Sequence, residues 1–232
     1  MTNIGTSNIS ITNNRFFQTS TRTQTTGTTH SCIRIGNTSA NNVIITGNTI
    51  GYSSSAGTGT YNFVGITGSV FNPIMLSVGA VAASSVQNNR IVGINHSTSA
   101  PGFATVFNAI NVTGSGTVNI GNTIGNTIGL PAAPITFNAS AGLGGTVNGI
   151  NMTGTGAVAI QNNIIQSITT TGVAGAAFNV TGITVAGSAV YTITNNTIGN
   201  FTPANSINLG VLGTSTALST FTGISSSSTG SP

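Results

Sequence analysis

The sequence predicts an all-β fold, a single-stranded parallel β-helix (β-solenoid) of about six coils. Three observations carry this: an Asn motif that recurs along the chain, short alternating apolar runs, and a composition hostile to helix. Gly, Asn, Thr and β-branched residues dominate, and no 3.6-residue apolar period with caps appears.

The motif is an apolar residue, two intervening positions, an Asn, one further position and a second apolar residue. It occurs at Ile11–Phe16, Ile45–Ile50, Val86–Ile91, Ile160–Ile165 and Ile193–Ile198, and one residue shorter at Ile124–Ile128. The six Asn residues are Asn14, Asn48, Asn89, Asn126, Asn163 and Asn196, spaced by 34, 41, 37, 37 and 33 residues. In the shortened copy, Ile120-Gly-Asn122 competes with Ile124-Gly-Asn126 for the same place.

A Gly-Ile landmark precedes the later copies, at Val64-Gly-Ile66, Ala109-Ile110, Gly149-Ile150, Gly182-Ile183 and Gly223-Ile224. Alternation over short runs indicates strands with one buried face, and Gly or Asn punctuation marks their turns. The unit Val147–Ile168 then reads as one coil of two or three strands, with Thr169–Ala177 as an outward loop. Stacking sets each inward Ile or Val over its equivalent in the next coil. Loops of unequal length are expected at one corner.

The recurrent Asn has a structural task in such a coil. Asn tolerates the left-handed backbone of a sharp corner, and its amide can bond copies above and below. The six residues are therefore expected to form a ladder.

Composition excludes much chemistry. The 232 residues contain no Asp, Glu or Lys, and the charged side chains are Arg15, Arg22, Arg34 and Arg90. Paired-carboxylate glycoside hydrolysis, carboxylate-held magnesium and calcium sites cannot be assembled from these side chains. Four scattered arginines make no basic stripe for nucleic acid. No stretch has the length of an apolar membrane helix, and Met1 leads straight into Thr-Asn-Ile-Gly with no secretory signal. The expectations are no enzyme activity, no cofactor, no metal, no nucleic acid and no membrane insertion.

The Asn-Asn-x-Ile and Gly-Ile-x-x-x-Gly-x-Gly patterns, with Thr, Ser and Gly loops, resemble the right-handed β-helix repeats of large secreted, adhesin-like surface proteins of Bacteroidetes-type bacteria. The resemblance covers nearly the whole chain. It implies a right-handed parallel β-helix, a secreted, cell-surface or extracellular location, and export by type IX secretion. Enzymatic β-helix families use acidic or basic outer-sheet residues that this chain lacks, and fold alone assigns no activity.

Candidate sites weigh against that background. His30 and Cys32 lie two apart and can share a strand face, the arrangement of a thiolate–imidazole pair, although no carboxylate orients them. His96 reads as a solvated loop residue. Phe63, Phe107 and Phe178 precede the Gly-Ile landmark and read as stacked core aromatics, while Tyr52, Tyr61 and Tyr191 are the residues a sugar-binding groove would use. Asn-x-Ser/Thr triplets at Asn8, Asn37, Asn95, Asn111, Asn138, Asn151, Asn179, Asn195 and Asn200 are what chance gives in a chain this rich in Asn and Thr. No Thr-x-Thr rank repeats in every coil, as an ice-binding face requires.

The ends read as complementary half-coils of one segment spanning residues 1–232. The start, through Ile9 and Ile11, matches the second half of a unit, and the close, at Ile224, matches the first. Uncapped coil ends invite association. The expected partner is the chain itself, stacked head to tail, or adjoining repeats of a longer chain, with surface glycans as a further partner. The expected function is a structural or adhesive surface module, the alternatives being an ice-binding solenoid and a lectin-like adhesin.

Overall fold

A computed structural model of the protein describes residues 8–66, 68–99, 104–139, 144–173, 176–199, 206–210 and 218–229. The outermost residues of the two end half-coils, 1–7 and 230–232, and the Asn200 triplet lie outside the described residues. No helix occurs among the described residues, and the named strands pair in parallel between successive coils.

Each complete coil contributes to four sheets. Sheet 1 stacks Ile9–Thr12, Val43–Thr46, Ser84–Gln87, Val118–Ile120, Val158–Gln161 and Tyr191–Thr194. Sheet 2 stacks Arg15–Phe16, Thr49–Gly51, Arg90–Val92, Thr127–Ile128, Ile164–Ile165 and Thr197–Ile198. Sheet 3 stacks Arg22–Thr23, Tyr61–Gly65, Ile94–Thr98, Ile135–Ala139, Ile168–Gly172 and Ile207–Leu209. Sheet 4 runs from Ile33–Gly36 through Ile74–Val78, Thr105–Gly114, Gly145–Met152 and Phe178–Gly187 to Thr220–Ser228. Six stacked strands give five coil-to-coil steps, in accord with the expected count.

The core consists of files that run along the stack. Ile11, Ile45, Val86, Ile120, Ile160 and Ile193 form one. Phe16, Ile50, Ile91, Ile128, Ile165 and Ile198 form a second. Ile33, Ile74, Ile110, Ile150, Ile183 and Ile224 form a third. Interior members are fully buried, whereas Ile9 and Ile11 are half-buried and Ile224 is 50% exposed at the terminal coils. A coil alone leaves its apolar face in water, and only its neighbours cover it.

Four sequence expectations are corrected. A coil is not two or three strands plus a loop, because Ile168–Gly172 joins sheet 3. The Gly-Ile landmark of the second coil is not Val64-Gly-Ile66, whose strand also lies in sheet 3. Ile74 occupies that place, in register with Ile110. Ile120, not Ile124, pairs with Ile160, so Gly121–Gly125 is an insertion and Ile124 is 54% exposed. Loops leave several corners: 52–60 joins sheets 2 and 3, and 121–126 joins sheets 1 and 2.

The landmark glycine also has a steric cause. A Cβ on Gly149 would stand 2.6 Å from Gly182 O and 2.9 Å from Ile165 Cδ1, and one on Gly182 would meet Gly223 O at 2.6 Å. The next coil's backbone and the sheet 2 isoleucines Ile165 and Ile198 leave no room for a side chain there.

Candidate functional site

The six recurrent Asn residues form a continuous ladder. Asn14 Nδ2 donates to Asn48 Oδ1 at 3.1 Å, Asn48 to Asn89 at 3.0 Å, Asn89 to Asn126 at 2.9 Å, Asn126 to Asn163 at 2.8 Å and Asn163 to Asn196 at 2.9 Å. Each of these oxygens also accepts the backbone N–H of the preceding ladder residue at 3.0–3.1 Å. Each Nδ2 from Asn48 onward reaches back to a carbonyl of the previous coil, as Asn89 does to Ile45 O at 2.9 Å. Asn48, Asn89 and Asn163 are fully buried, so these bonds satisfy groups that have no access to water.

The left-handed corner falls one residue earlier than expected. Asn13, Asn88, Asn162 and Asn195 have φ of 56°, 50°, 57° and 56°, and Gly47 takes the same place at 68°. In each Asn-Asn pair the first residue turns the chain and the second supplies the ladder amide.

Other amide rows were not visible in the sequence. Asn148 Nδ2 donates to Asn108 Oδ1 and Asn108 Nδ2 to Asn72 Oδ1, both at 2.8 Å, at buried positions on sheet 4. On sheet 3, Asn138 Nδ2 donates to Asn95 Oδ1 at 2.5 Å and Asn95 Nδ2 to Asn62 Oδ1 at 3.1 Å. Irregular spacing and the absence of a shared flanking motif hid both rows.

The aromatic residues zip together sheets 3 and 4. Phe63, Phe107 and Phe178 are buried as expected, but they interleave with Phe71 and Phe137 instead of stacking on one another. Centroid separations run 5.2 Å for Phe63–Phe71, 5.8 Å for Phe71–Phe107, 5.0 Å for Phe107–Phe137 and 6.2 Å for Phe137–Phe178. Tyr61 is 3% exposed within this stack, and Tyr191 is half-buried over Val158 on sheet 1, so the three tyrosines do not line one groove.

His96 is not solvated. It sits in the sheet 3 file between Phe63 and Phe137, fully buried, and among the described residues neither ring nitrogen has a hydrogen-bond partner. Burial above all, with a smaller contribution from His30, lowers its pKa to about 3.

His30 bonds the Tyr61 hydroxyl, Nε2 to Oη at 2.8 Å. Burial, then the Arg22 charge, hold His30 below its ordinary value. Burial pushes the Cys32 thiol up to about 12, against a weaker effect of its hydrogen bond with Tyr61. A thiol held protonated in this way is not an activated nucleophile. Among the described residues, no group of three or more His, Cys, Asp or Glu is placed to hold a metal.

The outer faces are mostly polar, although Ile44 on sheet 1 and Ile164 on sheet 2 are exposed. Sheet 3 presents Asn62, Asn95, Thr136, Thr169 and Asn208 as one outward file. Thr-x-Thr occurs at Thr169–Thr171 on sheet 3 and Thr192–Thr194 on sheet 1, and the adjacent coils do not repeat it. Of the Asn-x-Ser/Thr triplets, Asn111 is buried and accepts from Asn151 at 2.9 Å, while Asn8, Asn37 and Asn195 are exposed.

An open groove of about 610 Å³ lies on the outer face of sheet 3, lined by Thr19, Ser53, Thr60, Asn62, Asn95 and Thr136. Its wall, the loop 52–60, is internally bonded. Ser53 N–H donates to Thr58 O at 3.0 Å, the Ser54 and Thr58 hydroxyls meet at 2.8 Å, and Arg15 Nη1 reaches Ser55 O at 2.6 Å.

No protein-family model, no curated protein and no solved structure matches this chain.

Proposed function

We propose that the protein is a non-enzymatic structural or adhesive β-solenoid module of a cell surface or extracellular layer, and that a second copy stacks on it head to tail. The carrying observation is the polarity of the Asn ladder. Every internal Oδ1 takes two donors from the coil before it. Among the described residues, Asn14 Oδ1 takes none, and the Asn196 backbone N–H reaches no acceptor. One terminal coil thus presents an acceptor and the other a donor, the pairing each internal step already makes.

Half-buried Ile9 and Ile11 at one end and exposed Ile224 at the other supply apolar surface to such a contact. A heterologous contact that does not close into a ring generates a fibre. Light scattering and electron microscopy at rising concentration test the reading. Length-polydisperse stacks that vanish in Ile9→Lys and Ile224→Lys support it. A strictly monomeric chain overturns stacking by a second copy and leaves those ends to adjoining repeats.

A further inference from the structure

The groove on sheet 3 offers a chemistry that the stacking ends do not. Its lining contains hydroxyl and amide side chains and no charged or apolar one. The hydroxyls of Thr19, Thr60 and Thr136 make no bond among the described residues. Asn95 Nδ2 donates to Asn62 Oδ1 at 3.1 Å, Asn62 Nδ2 to Thr60 O at 3.3 Å, and Asn95 Oδ1 accepts from Asn138 at 2.5 Å, so two of the four positions on each amide are taken. Each amide has two N–H groups and two acceptor lone pairs, so both retain capacity for a ligand.

Asn62, Asn95 and Thr136 stand on three successive coils, spaced about 4.8 Å apart as neighbouring parallel strands are. The groove floor therefore runs along the stack as a ladder of donors and acceptors. Its volume lies within the range of small-molecule sites.

The wall is pre-organised, and it holds a strained residue. Tyr52 has φ of +63°, unusual for a bulky side chain. Its N–H donates to Gly93 O at 3.2 Å, and a Cβ on Gly93 would stand 3.0 Å from Tyr52 Cδ1, so the ring rests on the next coil. The Arg15 guanidinium is engaged by Ser55 O and braces the same loop. A loop ordered in this way loses little conformational entropy when a ligand arrives.

We infer that this groove binds a neutral oligosaccharide chain lying along the solenoid axis, its hydroxyls exchanging hydrogen bonds with Asn62, Asn95 and Thr136 between walls formed by Thr19, Ser53 and Thr60. The lining chemistry selects the class. An anionic ligand would find no counter-charge in the groove, and an apolar peptide or lipid would find no apolar floor. A polyhydroxylated neutral chain matches a surface of alternating donors and acceptors. This inference rests on the adhesive half of the proposed function and gives it a ligand.

The test is titration of the full chain with cello-, malto-, manno- and laminari-hexaose, followed by calorimetry and amide NMR, with a hexamer of galacturonic acid as the charged comparison. Saturable binding of a neutral hexaose is expected, with shifts confined to the groove. It should weaken about tenfold in Thr136→Val and Asn95→Leu, a loss of about 1.4 kcal/mol for the hydrogen bond each removes. Thr136→Val is nearly isosteric and keeps the fold. Thr192→Val, on the outer face of sheet 1, should leave binding unchanged. Failure of all four neutral chains to bind, binding that survives Thr136→Val and Asn95→Leu, or binding restricted to the uronate chain each overturns the inference. None of these outcomes bears on end-to-end stacking, which scattering reads separately.

Discussion

Asn89 and Asn126 are joined twice: the Asn89 backbone N–H and its Nδ2 both donate to Asn126 Oδ1, at 3.0 and 2.9 Å. Asn89 Oδ1 in turn receives both donors of Asn48. Asn89→Ala takes partners from groups on both flanking coils, the Asn48 amide and Ile45 O on one and Asn126 Oδ1 on the other, in a site with no access to water. It is expected to cost about 2–4 kcal/mol, and Asn14→Ala at the open end about 1 kcal/mol. Urea unfolding of the two variants checks the order, and equal losses would show that the ladder is not what the interior coils rely on.

The neighbouring corner should respond oppositely. Asn88 is exposed at φ 50°. Asn88→Gly is expected to be neutral within about 0.5 kcal/mol, and Asn88→Val to lose about 1–2 kcal/mol, because a β-branched side chain resists the left-handed region. At position 89 the ranking reverses in kind, since neither Gly nor Val replaces the amide. Thermal melts of the four variants decide this.

Acid should loosen the core through His96. Its pKa is about 3 in the folded chain against an ordinary 6.5, so the unfolded chain binds the extra proton between those values. The stability owed to neutral His96 is complete above pH 6.5 and falls as pH drops toward 3, by roughly 4–5 kcal/mol over the window. His30, also lowered, adds to the same slope. His96→Phe is expected to flatten the dependence of stability on pH below 6.5, measured by urea unfolding at stepped pH. An unchanged slope would place acid sensitivity elsewhere.

Cys32 should be chemically quiet in the folded chain. A thiol raised from 9.0 to about 12 has about a thousandfold less thiolate near neutral pH than a model thiol. Reaction with a disulfide reagent at pH 8 is expected to be slow, to accelerate in urea to the rate of a free thiol, and to slow further in the folded Tyr61→Phe variant, which lacks the hydrogen bond that lowers the thiol. Rapid labelling of the folded chain would contradict the burial of this group.

Local chemistry determined much of this protein before any coordinates. The Ile-x-x-Asn-x-Ile spacing marks one residue per coil whose amide bonds its copies, and all six ladder positions, Asn126 included, stand where the motif puts them. Alternation and Gly-Asn punctuation likewise determine an all-β stack, because both depend on near neighbours in the chain. The face a residue takes depends instead on which corner precedes it, and insertions such as 52–60 and 121–125 reset that phase without any local mark. Asn95-His96-Ser97 therefore looks like a loop in isolation. Only the register of its strand between Phe63 and Phe137 turns the imidazole inward. Ile66 gives way to Ile74, and Asn72, Asn108 and Asn148 find one another, for the same reason. Backbone pairing across some 35 residues aligns them, and that alignment is set by the stacked coils as a whole.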